Sequence, residues 1–467
     1  MPIQFTNTLS RSLETFIPRD PEGKLVRIYT CGPTVYSYAH IGNCRAYVFE
    51  DLLQRHLENR GYKVLRVLNL TDVDDKTIRN SRAAGVPLAD FTGVYKQAFH
   101  DDLATLKIKP ATYNPSATEP QYIAKMIEMI GDLLAKGIAY QADDRSIYFR
   151  LSKFPNYGKL AHLNLDELRP SGRIQNDEYE KENIGDFALW KAWDAEDGDV
   201  KWDSPWGPGR PGWHIECSAM AIALLGPELD IHCGGVDNIF PHHEAEIAQS
   251  ESCTGKIFSK YWMHCTHLMV EGQKMSKSAG NFYTLRDLLE KGWTGREVRY
   301  ALLSVNYLLP LNFTFEGLEA ARKSLQRIDN WVSRVEELAT QPADTTEWPS
   351  IVLFHQSLDH DLNISGALGH LFTLISETNV QMDSGLLTPA AATSLLKNWD
   401  SMNRVLALTK SVSEVPAEVL ALVEERATAR AAKNWPECDR LRDLILSNGW
   451  TVKDTKQGAA LSQVPGS

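Results

Sequence analysis

Short apolar runs alternate with stretches of helical spacing in the first part of the chain. Leu25 to Thr30 reads as a buried strand. Val48, Leu52, Leu53 and Leu57 then recur near helical spacing, Gly61 supplies a stop, and Val64 to Leu70 reads as a second strand. Strand, helix and strand in that order make a β-α-β unit. Ligands of such units sit beyond the carboxyl ends of parallel strands, where free N–H groups at a helix start attract anions. The stretch Tyr29 to Asn43 occupies that position. It carries a potential metal ligand, Cys31, and a phosphate-binding candidate, His40.

Farther along, Asn69 to Lys76 places polar groups at the end of the second strand. These residues either turn the chain and cap a helix beginning near Lys76, or contribute Thr71 and Asp72 to a cleft. From about 114 to 203 the pattern changes: Gln121 to Lys136 reads as an amphipathic helix ended by Gly137, Ser146 to Leu151 as a strand, and polar loops follow. This segment is expected to be an insertion. The first fold resumes near Trp213, where Trp213 to Met220 leads into an apolar helix, and the strand Leu229 to Cys233 precedes a glycine pair and Asp237.

Pro241 reads as an early helical position, which sets His242 and Glu246 four residues apart on one helical face. Such a pair, taken alone, is usually a hydrogen bond or surface ion pair and less often half of a metal site. Cys31 and Cys217, each at a strand end or helix start of the same fold, complete a set of two thiolates, one imidazole and one carboxylate that suits zinc. His243, turned off the Glu246 face by a fraction of a turn, is the second choice. Further on, Glu271 to Asn281 brackets Lys274 and Lys277 with glycines. It reads as a solvated loop or as one that sets positive charge over phosphates.

Beyond Phe315 the spacing of Leu318, Leu325, Ile328, Val332, Val335 and Leu338 is helical, and Leu353 to Leu408 continues with more helices. A smaller unit after Val415 carries Arg426, Arg430, Lys433, Arg440 and Arg442 ahead of the turn Asn448-Gly449-Trp450. Its basic side chains form either a charged helix face or a contact surface for RNA. The expected architecture is α/β: a Rossmann-like parallel-sheet domain (1–113 and 204–260), an insertion (114–203), a connecting segment with the lysine loop (261–315), a helical bundle (316–410) and a small C-terminal domain (411–467).

Composition changes this picture in three ways. The chain has 467 residues, enough for several domains, and a formal net charge of −11, so any RNA site must be a local basic surface. Its seven cysteines are odd in number and scattered, which argues against a secreted disulfide framework and for metal binding or burial. Neither a signal-peptide segment nor a membrane-spanning run is evident, so a cytoplasmic location is expected.

His40-Ile41-Gly42-Asn43 and Lys274-Met275-Ser276-Lys277-Ser278 are similar to the two signatures of class I aminoacyl-tRNA synthetases. With Cys31-Gly32-Pro33-Thr34-Val35-Tyr36, Gly212 to Cys217 and Pro241 to Glu244, the chain closely resembles the cysteinyl-tRNA synthetase family over nearly its whole length. The resemblance implies ligation of cysteine to tRNA(Cys) at the expense of ATP, with ATP, L-cysteine and tRNA(Cys) as partners and no membrane. It implies one Zn(2+) per chain on Cys31, Cys217, His242 and Glu246, and Mg(2+) with the ATP. It assigns His40, Asn43, Lys274 and Lys277 to catalysis, those four with Gly42 and Asp237 to ATP, and Gly32, Thr34, Thr71 and Trp213 to cysteine. The bundle becomes tRNA-binding and the C-terminal domain anticodon-binding. Two departures stand out: Asn43 occupies the place of the usual histidine, and the tryptophan usual shortly after Lys453 to Gly458 is missing. A cysteine ligase acting on an amino sugar and a noncatalytic RNA-binding relative are the alternative readings.

Overall fold

The computed structural model describes residues 2–163, 169–174, 183–276, 280–410, 417–455 and 458–463. At its centre lies a four-stranded parallel sheet in the order Ser259–Cys265, Leu229–Gly235, Leu25–Thr30, Lys63–Leu68. Leu25–Thr30 takes a central position because it is apolar on both faces; Val26, Ile28, Tyr29 and Thr30 are all buried. The chain crosses from it to Lys63–Leu68 on one side and later to Leu229–Gly235 on the other. The crevice where the order reverses therefore opens at Cys31.

Helix Ile41–Asn59, hereafter the signature helix, connects the first two strands, and Gly61 follows its end at φ 89°. The second strand stops at Leu68, two residues short of the expected end, because Asn69 and Leu70 leave the ladder to meet Gly32 and Pro115. Asp74 caps the next helix, Asp75–Ala84, through the Thr77 amide, so the capping role expected of this stretch is real. The expected strand at Ser146 to Leu151 is confined to Ile147–Phe149. It belongs to a second sheet with Ala139–Gln141, Arg169–Ile174, Asn183–Ala192 and Gly209–Pro211.

Pro241 does not open the helix that the sequence suggests. Phe240 is extended at φ −135°, ψ 133°, the turn Ile239–His243 is wider than an α-turn, and the regular helix is Glu244–Thr254. Helices Phe315–Leu338, Pro349–Asp359, Ile364–Asp383 and Pro389–Leu406 form the bundle. One hydrophobic core runs from Ile28 through Leu53 of the signature helix into Leu303, Trp331 and Leu395. Val419, Ile445 and Trp450 form a separate small core beneath the C-terminal helices and hairpin.

Two buried guanidinium groups join these layers. Arg45 of the signature helix donates to the carbonyls of Thr266, His267, Asn306 and Leu309. Arg299 donates to Leu406 O, Leu106 O and, at 2.6 Å, to Asp51 Oδ2. Asp51 also accepts from Arg55 Nε at 2.8 Å and from the Lys109 amide at 2.7 Å. Burial alone would raise the Asp51 carboxyl, but Arg299 and Arg55 hold it below its ordinary range. This contribution is therefore present above the unfolded carboxyl range near ~3.9 and is lost as pH falls through the lower folded value.

Asp51→Asn keeps the shape and leaves Arg299 as an uncompensated buried cation. Denaturant unfolding at pH 7 is expected to show a loss of about 3–5 kcal/mol. A loss below about 1 kcal/mol would show that the pair does not fasten the bundle to the sheet.

Candidate active site and metal centre

Cys31 follows the first strand directly and is held by its own amide, which donates to Cys233 O at 3.3 Å. Its Sγ lies 3.2 Å from His243 Nε2 and 3.7 Å from Glu246 Oε1. The Glu246 carboxylate is wholly buried and meets His242 Nε2 at 3.1 Å through Oε1 and His232 Nε2 at 3.0 Å through Oε2. Cys217, on helix Trp213–Leu225, completes the group. Ligand atoms of Cys31, Cys217, His242 and Glu246 all lie within 4.8 Å of one another, and so do those of Cys31, His232, His243 and Glu246.

The first of these groups is the one expected from the sequence. His243, ranked second because ideal helical spacing would turn it away from Glu246, stands 4.0 Å from Glu246 Oε1. The expectation fails locally because the α-helix begins only at Glu244, and the wider turn before it aims both histidines inward.

Outer rings set the orientation of the inner ones. His214 Nδ1 and His242 Nδ1 are 3.0 Å apart, His264 Nε2 is 2.8 Å from His243 Nδ1, and Thr8 Oγ1 is 2.7 Å from His264 Nδ1. Trp213 stacks on His242 with centroids 4.3 Å apart, while Tyr29, His232 and Trp262 stand side by side on three adjacent strands. Burial pushes the His214, His242 and His264 rings down to about 3 and His243 well below its ordinary value. Burial also raises the Cys31 thiol, and Cys217 beside it adds to the effect. Neutral imidazoles keep the lone pairs that a cation takes, and a carboxylate buried among them calls for positive charge. Two sulfurs, imidazole nitrogen and carboxylate oxygen suit a borderline-soft divalent ion, so the residues fit zinc.

The cysteine-binding candidates lie beside this centre. A Cβ on Gly32 would overlap the Asn69 carbonyl oxygen, and the Gly32 amide donates to Asn69 Oδ1 at 2.9 Å. Only glycine allows that approach. Thr34 and Thr71 form a parallel bridge, with Val35 N donating to Thr71 O at 3.0 Å. Thr34 and Trp213 open onto a cleft of about 980 Å³ that continues past Lys76, Tyr148 and Arg210.

The phosphate candidates form a second cluster. His40 is the N-cap of the signature helix: the Asn43 amide donates to His40 Nδ1 at 3.2 Å, and the His40 amide donates to Asn43 Oδ1 at 3.2 Å. Asn43 thus serves as the reciprocal partner of a capping box, a role open to its amide oxygen. Burial lowers the His40 pKa, with Asp237 opposing, so the ring is held towards its neutral form. A side chain on Gly42 would come within 2.9 Å of the His40 ring and 3.3 Å of Met275 Cε, so the second signature packs directly over the first. Lys274 is exposed on the short strand Gln273–Lys274; Lys277 lies outside the described residues. Asn281 ties the two sides of that stretch, accepting from Ser276 N at 2.9 Å and donating to Lys274 O at 3.2 Å.

Sequence reasoning missed His214, His232 and His264. A histidine within an otherwise buried strand run, as in Asp230-Ile231-His232-Cys233 and Trp262-Met263-His264-Cys265, is the signal that could have found the last two.

Comparison with known proteins places this geometry. A family model described as "tRNA synthetases class I (C) catalytic domain" matches residues 19–323, a "DALR domain" matches 353–410 and a "Cysteinyl-tRNA ligase anticodon binding domain" matches 412–459. A solved Mycobacterium tuberculosis methionyl-tRNA synthetase in complex with methionyl-adenylate shares the fold at a TM-score of 0.61 and 16% identity, covering 82% of this chain and 90% of that one. Fold and signature turn together define a class I aminoacyl-tRNA synthetase. The cysteine-tRNA ligase of Chlamydia muridarum is 51% identical, covering 98% of this chain and 99% of its own. That of Protochlamydia amoebophila is 48% identical, covering 99% and 98%. The chain belongs to the cysteine-tRNA ligase family. No helix among the described residues is long and apolar enough to cross a membrane.

Cobalt(II) added to metal-free protein is expected to bind at one equivalent and to give a near-ultraviolet thiolate charge-transfer band. Cys217→Ser should weaken that band if the two-thiol group holds the ion. An unchanged band would assign the ion to the His232 and His243 group instead.

Proposed function

We propose that the protein activates L-cysteine with ATP, giving cysteinyl-adenylate and pyrophosphate, and then passes the cysteinyl group to the 3'-terminal adenosine of tRNA(Cys). One observation carries this reading: a buried two-thiol donor cluster and the His40-capped helix start converge at the carboxyl edge of one parallel sheet, in a chain about half identical to cysteine-tRNA ligases throughout.

The displacement at the α-phosphate needs aligned reactants and donors for developing charge more than it needs covalent help from the protein. With its Nδ1 accepting from the Asn43 amide, a neutral His40 ring carries its proton on Nε2, which becomes the donor to a phosphate oxygen. Asn43 uses its oxygen on the His40 amide, which leaves its NH₂ to donate as well. Lys274 and Lys277 supply positive charge to the departing pyrophosphate, Gly42 lets the phosphates approach, and Asp237 takes the ribose. Magnesium accompanies the ATP. Thr34, Thr71, Gly32 and Trp213 enclose the cysteine. In the second step the terminal ribose hydroxyl attacks the activated carbonyl, and AMP departs. A cytoplasmic location goes with this activity.

Cys31, Cys217, His242 and Glu246 are the proposed holders of one zinc per chain. Shape alone separates substrates that differ by one small group by only about 1–3 kcal/mol. Zinc held there would supply a thiophilic Lewis acid, chemistry that distinguishes cysteine's ionisable thiol from serine's hydroxyl.

Labelled cysteine should pass onto a tRNA(Cys) transcript in a ribonuclease-sensitive product that excess serine does not suppress. Pyrophosphate exchange without charging would point to a small-molecule acceptor. Neither activity in folded, zinc-loaded protein would leave the noncatalytic RNA-binding reading. Gly42→Ala offers a finer test, because alanine favours a helix by up to ~1 kcal/mol while crowding His40. Its thermal midpoint should hold or rise while kcat/KM for ATP falls by about 10- to 100-fold. Unchanged exchange would remove His40 from the ATP site.

A further inference from the structure

The first signature is joined by a short antiparallel pairing to the chain that follows the second, residues 283–286. The Ile41 amide donates to Tyr283 O at 2.9 Å, His40 and Thr284 form an antiparallel bridge, and the Arg286 guanidinium lies 5.1 Å from the Tyr38 ring centroid. Each step back along the first stretch is a step forward along the second, so the three contacts share one register. His40 and Thr284 are also the N-caps of their respective helices, Ile41–Asn59 and Leu285–Glu290. The bridge therefore fixes two helix starts against each other.

Arg286 closes the outer end of this pairing and fastens it to a third element. Its Nη2 donates to Ala98 O at 3.2 Å and lies 3.6 Å from Asp102 Oδ1 and 3.7 Å from Asp101 Oδ2. Tyr38 meets Tyr95 edge-on at 5.3 Å, so both partners rest on the same helix, Leu88–Thr105. Tyr38 is 42% exposed, and apolar burial alone does not hold it in place. The planar cation over its ring supplies the missing constraint.

We propose that Arg286 is a positioning residue of the adenylation site: stacked on Tyr38 and anchored to helix Leu88–Thr105, it holds His40 in register with Thr284. Arg286 acts through the pairing without touching the substrates, and the inference rests on the reading of His40 as an ATP-phosphate residue.

A double-mutant cycle on full-length enzyme tests it. Arg286→Ala and Tyr38→Ala are each expected to lower kcat/KM for ATP in cysteine-dependent pyrophosphate exchange by about 10- to 100-fold. KM for cysteine should stay unchanged, because Arg286 contacts Tyr38, Ala98, Asp101 and Asp102, none of them in the thiol cluster or among the cysteine-binding candidates. The double variant should fall within about twofold of the worse single variant, and Arg286→Lys should recover part of the loss by keeping the charge. Hydrogen exchange of the Ile41 amide should speed up in both single variants while the thermal midpoint holds. Additive losses, an equal rise in KM for cysteine, or an Ile41 amide as protected as in the parent would each overturn the proposal. His40→Ala, assayed alongside, separates the two readings. Unchanged exchange in that variant would refute the ATP role of His40, and Ile41 protection would still decide whether Arg286 holds the pairing.

Discussion

The constraint on which the rest of the structure depends is the burial of the Glu246 carboxylate. It is removed from water, and its near neighbours are two imidazoles and the Cys31 thiol. A lone carboxylate in such surroundings is costly enough that proteins normally neutralise or pair it. Here the surrounding donors can all serve as ligands, and the same burial pushes the His242 and His243 rings towards neutrality. The cluster thus has the donor set of a cation site. Around it the aromatic residues Tyr29, Trp213 and Trp262 fix ring positions and exclude water, which strengthens every electrostatic interaction inside.

A parallel sheet brings the donors together from far apart in the sequence. Cys31 lies just past one strand, His232 lies within the next and His264 within the one after, while Cys217, His242 and Glu246 come from the helical segments that flank the sheet. Because the strands are parallel, their carboxyl ends share one edge. The same edge carries the His40 cap, so the thiol cluster and the phosphate candidates stand on two sides of a single crevice. No insertion or separate domain is needed to bring the thiol cluster and the phosphate candidates face to face.

Local chemistry made the first β-α-β unit legible: an apolar run, a helical spacing and Gly61 were enough, and strand Leu25–Thr30 has the expected limits. Asn69 and Leu70 misled because they continue the strand's run, yet the Asn69 side chain accepts from the Gly32 amide and the Leu70 backbone bonds to Pro115 and Ala117. Pro241 misled in another way. Its position suits a first helical turn, but the chain kinks at Phe240 and winds more widely before Glu244, which no spacing rule reveals. For the site, Cys31, Cys217, His242 and Glu246 were readable through motif and resemblance together, whereas His232 and His264 were not. A histidine in a buried run marks each as unusual, but its partners, His243 and Glu246, lie on other elements and show only in the fold. The pairing of Tyr38, His40 and Ile41 with residues 283–286 was hidden for the same reason.

Asn43 shows how a departure from a signature can be absorbed. Histidine at this position could carry charge, which asparagine cannot. In the structure the residue's first task is to cap: its Oδ1 takes the His40 amide while its own amide holds the His40 ring. Asparagine performs the acceptor half of that exchange with a neutral oxygen whatever the pH, whereas a histidine ring accepts only when it is neutral. The substitution therefore gives up a possible charge beside His40 and makes the cap on the His40 amide independent of pH, while the backbone amide of residue 43 sets the His40 tautomer whichever residue stands there. Burial holds His40 towards neutrality, so with Nδ1 accepting from the amide of residue 43 its ring proton stands on Nε2, and Asn43 Oδ1 keeps the cap at any pH.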